Sequence, residues 1–117
     1  MAMKDPRLDY VELPAASLDK AVGFYQEAFG WTLTKFGPSY AATTTGDTDI
    51  GLQGDKSDAP EAPLPVIQVD DVAAAASAVE AAGGDIIRPV YTFPGGRRFH
   101  FRDPAGNELA VWQADGE

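Results

Sequence analysis

From Leu8 to Leu13 the chain reads as a short extended run, with Leu8, Tyr10 and Glu12 on one side and Val11 and Leu13 on the other. Pro14 ends that run. Ser17 then stands where a helix N-cap belongs, and Asp19 falls in the first turn, where negative charge suits the positive helix end. Leu18, Ala21, Val22, Tyr25, Ala28 and Phe29 recur at helical spacing, and Gly30 is placed to close the helix in a left-handed conformation. Three strand-like segments follow, Trp31–Phe36, Ser39–Thr44 and Thr48–Gln53, punctuated by Gly37-Pro38 and Gly46-Asp47.

Residues 54–63 (GDKSDAPEAP) are polar, aperiodic and proline-bearing, so they read as a linker. Beyond them the same grammar restarts. Leu64–Val69 is extended, Asp71 can cap a helix carrying Val72, Ala75, Ala76, Val79 and Ala82 on one face, and Gly83-Gly84 ends it. Asp85–Thr92, Arg97–Arg102 and Asn107–Gln113 supply three more strands.

The two halves can be superimposed by counting. A shift of 54 residues places Ser17 on Asp71, Ala21 on Ala75 and Gly30 on Gly84; a shift of 60 places Gly46 on Gly106 and Gln53 on Gln113. The six additional residues are expected to lengthen a hairpin loop at Phe93-Pro94-Gly95-Gly96. Few residues are identical, so the repeat rests on the shared order of strand, helix and three strands. One helix covers one sheet face, so two such units must share an enclosed concave surface. The expectation is an α+β fold: two tandem βαβββ modules forming a half-open mixed sheet around a concave pocket. Residues 1–117 then form a single domain, with module one at 8–53, the linker at 54–63 and module two at 64–114.

Composition narrows the chemistry. With 44% apolar residues among 117 the chain can bury a core, and without cysteine it has no disulfide, thiolate nucleophile or iron–sulfur cluster. A formal net charge of −9 argues against nucleic acid and anionic membranes as partners, since phosphate needs a positive field. No apolar run approaches the roughly 20 residues of a membrane span. The opening Met-Ala-Met-Lys-Asp-Pro-Arg has no signal-peptide core, so a cytoplasmic location is expected.

Two stretches carry a family likeness. One runs from Leu13-Pro14-x-x-Ser17-Leu18 through Phe24-Tyr25 to Phe29-Gly30-Trp31; the other is Phe101-Arg102-Asp103-Pro104-Ala105-Gly106-Asn107-Glu108-Leu109. With Val69-Asp70-Asp71 and the repeat, they resemble the vicinal oxygen chelate superfamily of glyoxalase, bleomycin-resistance and dioxygenase-like proteins along essentially the whole chain. These residues also have plain structural duties. Phe24, Tyr25, Phe29 and Trp31 are expected to be mostly core, and Asp103-Pro104-Ala105-Gly106 is a turn. The resemblance implies a glyoxalase/bleomycin-resistance fold and, through its two-module members, a homodimer.

Metal-using members of that superfamily place His, Gln or Glu ligands on the first and last strands of each module. The matching positions here are Tyr10, Leu64, Ala110 and Ile50, with Gln53 the nearest donor to the last. Three of the four have no donor atom, so the resemblance implies neither a metal nor another cofactor.

The remaining candidates follow from strand alternation. His100 is the only histidine. If the DPAGN hairpin centres on Ala105, His100 lies opposite Ala110 and shares a face with Glu108, Trp112, Arg98 and Arg102. By the repeat, Tyr40 is expected opposite Ile50. The predicted ligand-binding lining is therefore Tyr10, Glu12, Tyr40, Leu64, Gln68, His100, Glu108, Ala110 and Trp112, joined by Val66. His100 and Glu108 are the candidates for acid–base work, and the ordinary histidine pKa of about 6.5 places a change in the pocket's charge between pH 5 and 8. Asp47-x-Asp49 reads as a hairpin turn before a calcium site, and Pro94-Gly95-Gly96-Arg97-Arg98 as a flexible hairpin before an anion site.

Three functional classes stay open. One is a metal-independent binder of a small organic molecule, for which Glu12 and Glu108 would suit a cationic aromatic ligand. Another is a lyase, isomerase or dioxygenase of the same superfamily, with or without a divalent metal. The third is an accessory or regulatory domain without chemistry.

Overall fold

Each half of the chain is built as one strand, one helix and three strands. A computed structural model describes residues 5–116; Met1 to Lys4, which begin the stretch read for a signal peptide, lie outside the described residues. In module one the elements are β1 (Arg7–Pro14), α1 (Leu18–Phe29), β2 (Thr34–Lys35), β3 (Tyr40–Ala42) and β4 (Asp49–Gln53). In module two they are β5 (Leu64–Gln68), α2 (Val72–Ala81), β6 (Asp85–Phe93), β7 (Gly96–Arg102) and β8 (Glu108–Ala114). Residues 54–63 hold no helix or strand. The chain divides into two compact units, residues 9–64 and residues 65–116 together with residues 5–8.

The wiring repeats. In module one the strands lie in the order β2-β3-β4-β1, with β1 parallel to β4 and the others antiparallel. In module two the order is β5-β8-β7-β6, with β5 parallel to β8 and the others antiparallel. Each helix is thus a crossover that returns the meander beside the strand that began it.

Apolar spacing decides what each helix buries. Leu18, Ala21, Val22 and Tyr25 of α1 pack with Leu13, Ala41, Ile50 and Leu52, while Val72, Ala75, Ala76 and Val79 of α2 pack with Ile67, Phe99, Phe101 and Val111. Burying such aliphatic and aromatic side chains contributes about 1.5–3 kcal/mol each. Gly30 closes α1 at φ 70°, and Asp71 caps α2 by accepting the Ala74 N–H at 3.0 Å. Ser17 precedes α1, but its side chain makes no capping hydrogen bond. Among the described residues no helix is long and apolar enough to cross a membrane.

Several expectations are corrected. Phe24, Phe29 and Trp31 are not core: they stand 59%, 60% and 41% exposed. Phe29 and Trp31 stack on each other and on Tyr25, with the Tyr25 and Trp31 rings 5.7 Å apart and nearly parallel, while Phe24 meets Tyr25 and Phe29 edge-on. The segment expected as a strand from Trp31 to Phe36 forms a ladder only at Thr34 and Lys35, with Phe36 N–H donating to the Tyr40 carbonyl beyond it. The additional residues of module two do not lengthen a loop either. Phe93 pairs with Gly96 across a two-residue Pro94-Gly95 turn, and the length goes into β6, whose register shifts twice. Gly96 is obligatory there, because a Cβ would overlap the Gln113 carbonyl oxygen.

Candidate functional site

Strand alternation decides which side chains can meet. In module one Leu13, Ala41, Ile50 and Leu52 face α1, so Tyr10, Glu12, Tyr40, Gly51 and Gln53 fall on the opposite face. There the Tyr10 and Tyr40 hydroxyls hydrogen-bond to each other. They meet over Gly51, where a Cβ would overlap both phenol oxygens. Burial, then the Tyr40 contact and the charges of Glu12 and Asp49, push the Tyr10 phenol far above its usual range. It is a proton donor at any ordinary pH.

Tyr40 is opposite Gln53, not Ile50 as the repeat implied. The turn sets this register. Asp49 accepts from Thr43 Oγ1 at 2.7 Å, from Thr45 N at 2.9 Å and Oγ1 at 2.7 Å, and from Gly46 N at 3.1 Å. Burial alone would raise that carboxyl, but these donors outweigh it and hold its pKa below the usual aspartate value. The Asp47-x-Asp49 pair is therefore hairpin architecture, as the turn reading expected.

In module two Ile67, Phe99 and Val111 face α2, which places Leu64, Val66, Gln68, Arg98, His100, Glu108, Ala110 and Trp112 on the other face. The DPAGN hairpin does centre on Ala105: His100 pairs with Ala110, Arg98 with Trp112 and Arg102 with Glu108. Asp103 holds the turn by accepting from Ala105 N, Asn107 N and Asn107 Nδ2, while Gly106 takes φ 91°.

His100 sits in a network. The Arg98 guanidinium donates to His100 Nε2 from Nε at 3.2 Å and Nη2 at 3.1 Å, and the Tyr91 hydroxyl lies 3.1 Å from the same nitrogen. Arginine has no acceptor, so Nε2 is the unprotonated nitrogen; Nδ1 carries the proton and donates it to Glu108 Oε2 at 2.9 Å. Arg88 lies over the Tyr91 ring at 3.9 Å. Burial lowers the histidine pKa first, and Arg98 and Arg88 add to this against the opposing pull of Glu108. The charge change expected between pH 5 and 8 therefore shifts toward acid. Tyr91 was missed in the sequence because the bulged register of β6 breaks the simple alternation that would have placed it.

Within each module the structure joins part of the predicted lining. Tyr10 and Tyr40 meet, as do His100 and Glu108. Leu64 and Ala110 are buried, at 3% and 0% exposed. Glu12, Gln68 and Trp112 are half-buried. Trp112 has Phe93 at 6.2 Å between ring centroids. A cavity of about 420 Å³ opens elsewhere in module one, between Trp31, Thr43, Thr44, Thr45, Thr48 and Ile50, of which only Ile50 is a position that the resemblance assigns to a site.

The superfamily's metal does not fit this donor set. The Tyr10 hydroxyl is engaged with Tyr40, Leu64 and Ala110 are alkyl, and Ile50 packs toward α1. Gln53, the nearest donor, already accepts the Asp55 N–H at 2.9 Å. Among the described residues no three His, Asp or Glu side chains group as metal ligands would.

Comparison with known proteins agrees with the wiring. The chain is 30% identical over 118 residues to the protein named "Putative glyoxylase CFP32" in Mycobacterium bovis and in Mycobacterium tuberculosis. That match covers 92% of this chain and 45% of the relative, so the chain spans a little under half its length. Hypothetical protein BH1468 from Bacillus halodurans superposes with a TM-score of 0.78 at 16% identity, covering 97% of this chain and 98% of the other. The Mn(II)-bound glyoxalase from Novosphingobium aromaticivorans superposes with a TM-score of 0.69 at 20% identity, covering 96% of this chain and 40% of that one. Such identities speak for the fold alone. Residues 7–111 match the sequence model of the Glyoxalase/Bleomycin resistance protein/Dioxygenase superfamily, and the chain belongs to that superfamily.

Proposed function

We propose that this protein is a metal-independent member of the superfamily that binds a small organic molecule on the sheet faces turned away from its helices. One observation carries the reading: where the resemblance calls for metal ligands, the chain has one protonated phenol and three alkyl side chains. The faces themselves suit an organic guest, with phenols at Tyr10 and Tyr40 and an indole at Trp112 beside a few polar groups. A cationic guest is less well served than the sequence suggested, because Glu108 is engaged with His100.

His100 is read as a positioning residue. Its Nε2 is filled by Arg98 and Tyr91 and its Nδ1 proton goes to Glu108, which makes it an anchor for Arg98. The test is elemental analysis together with native mass spectrometry after mild purification. The expected result is metal well below one ion per chain and an organic adduct that denaturation releases. Near-equimolar zinc, iron, nickel or manganese that survives dialysis would overturn it.

We further infer a cytoplasmic homodimer. The exposed, mutually contacting rings of Phe24, Phe29 and Trp31 support the dimer, since contiguous apolar surface of that kind commonly marks an interface. The acidic balance keeps the chain from anionic membranes and nucleic acid.

A further inference from the structure

A half-buried phenol at a sheet surface can turn to water, yet Tyr10 and Tyr40, thirty residues apart, turn to each other. The arrangement has a cost in the strand. Glycine in a strand interior gives up side-chain packing, and Gly51 occupies the middle of β4 between Ile50 and Leu52. Any side chain there would displace both hydroxyls. The neighbouring charges are negative: Glu12 and Asp49 both act on the Tyr10 phenol, and burial keeps it protonated. A phenol held this way serves as a hydrogen-bond donor, and the negative surrounding does not welcome an anionic guest. A neutral oxygen that accepts a hydrogen bond remains.

We propose that Tyr10 and Tyr40 form a hydrogen-bond relay that receives the neutral carbonyl oxygen of an aldehyde, ketone or quinone ligand. In the bound arrangement the Tyr40 hydroxyl donates to the Tyr10 oxygen, and the Tyr10 hydroxyl donates to the ligand. Accepting one hydrogen bond polarises a hydroxyl and strengthens the one it donates. Gly51 is the positioning residue, because it alone leaves the space in which the two oxygens meet. This rests on the small-molecule reading above and names the ligand chemistry for the module-one face.

The experiment uses 4-(dimethylamino)cinnamaldehyde, a dye whose long-wavelength band moves red when its carbonyl oxygen accepts a hydrogen bond. Affinity is read by quenching of tryptophan fluorescence, and the carbonyl contact by the band position. The full chain is expected to bind the dye with a red shift. Tyr10→Phe should weaken binding roughly tenfold, the scale of one lost hydrogen bond, and abolish the shift. Tyr40→Phe should diminish both effects. Gly51→Ala should abolish the shift although both hydroxyls remain; should it fail to fold, Tyr10→Phe, which alters one atom, still decides. Equal affinity and an equal band in Tyr10→Phe would overturn the relay and leave the small-molecule reading standing. A native chain that does not bind the dye would overturn the carbonyl class, while the released adduct in mass spectrometry still judges the broader reading.

Discussion

The side-chain oxygen of Gln113, on β8, accepts the backbone N–H of Val72, the first residue of α2, at 2.8 Å. Asp71 accepts the Ala74 N–H in the same turn. Two of the orphan N–H groups at this helix start are thereby satisfied, one by a local cap and one by a strand 41 residues away. Gln113→Ala should lower stability by about 1–3 kcal/mol, because it leaves a buried donor unpaired. Asp71→Ala should cost about 1 kcal/mol. Urea denaturation of both single variants and the double checks this, and a double variant less destabilised than their sum would show that the caps share one helix end.

The pH dependence of His100 follows from its depressed pKa. The folded chain holds this imidazole neutral, whereas the unfolded chain protonates it below about pH 6.5. Its contribution is therefore present above that pH and is lost as acid drives protons onto the folded state. His100→Gln should flatten the fall in melting temperature between pH 6.5 and pH 4.5 relative to the native chain. Parallel slopes in the two proteins would show that His100 does not titrate with unfolding.

Asp49 gathers the Thr43 and Thr45 hydroxyls and the backbone N–H groups of Thr45 and Gly46. Its folded pKa is depressed, so this stabilisation is complete above the ordinary aspartate pKa and disappears below it. Asp49→Ala should cost about 2 kcal/mol at neutral pH, in the range for hydrogen bonds to a charged group. It should also loosen the β3–β4 register, read as faster amide exchange at Thr43 and Ile50, whose backbones bond at 3.0 Å.

The exposed aromatic group at the end of α1 offers a test of assembly. Light scattering at micromolar concentration should report twice the chain mass of 12.4 kDa. A stable interface would cover about 1,600 Å² in all. Phe24→Ser with Phe29→Ser should reduce that mass with little loss of monomer stability, since both rings are more than half exposed. A native chain that stays at one chain mass would exclude the dimer.

Trp112 and Phe99 lie on opposite faces of the same β7–β8 pairing and should respond differently. Phe99, fully buried against α2, should cost about 3–5 kcal/mol when cut to alanine. Trp112→Ala should cost less and weaken binding of a co-purified ligand. An equal loss of stability, with binding unchanged, would return Trp112 to a structural role.

What was legible in the sequence was whatever local rules decide. Helix starts and stops at Asp71 and Gly30 follow from capping and from glycine's left-handed freedom. The Asp103-to-Asn107 turn fixes the pairing of His100 with Ala110. Alternation then sorts side chains to one face or the other, which is why Tyr10 and Glu12 separate from Leu13 as expected. The order of strand, helix and three strands in both halves follows from the same signals.

What only the tertiary structure decided was which side chains on a shared face find each other, and which apolar residues have something to pack against. Phe24, Phe29 and Trp31 were expected to be mostly core, but α1 presses Leu18 and Val22 inward and turns Phe24 and Phe29 outward, and Trp31 beyond its end is exposed with them. The repeat put Tyr40 across from Ile50, whereas the Asp49-knotted turn sets it across from Gln53 and lets it meet Tyr10 over a glycine. Nothing local marks Tyr91 as a neighbour of His100, because two bulges in β6 reset the alternation between them. Periodicity reports the direction in which a side chain points; contact depends on register and on space left by other strands, and those are settled only when the strands come together.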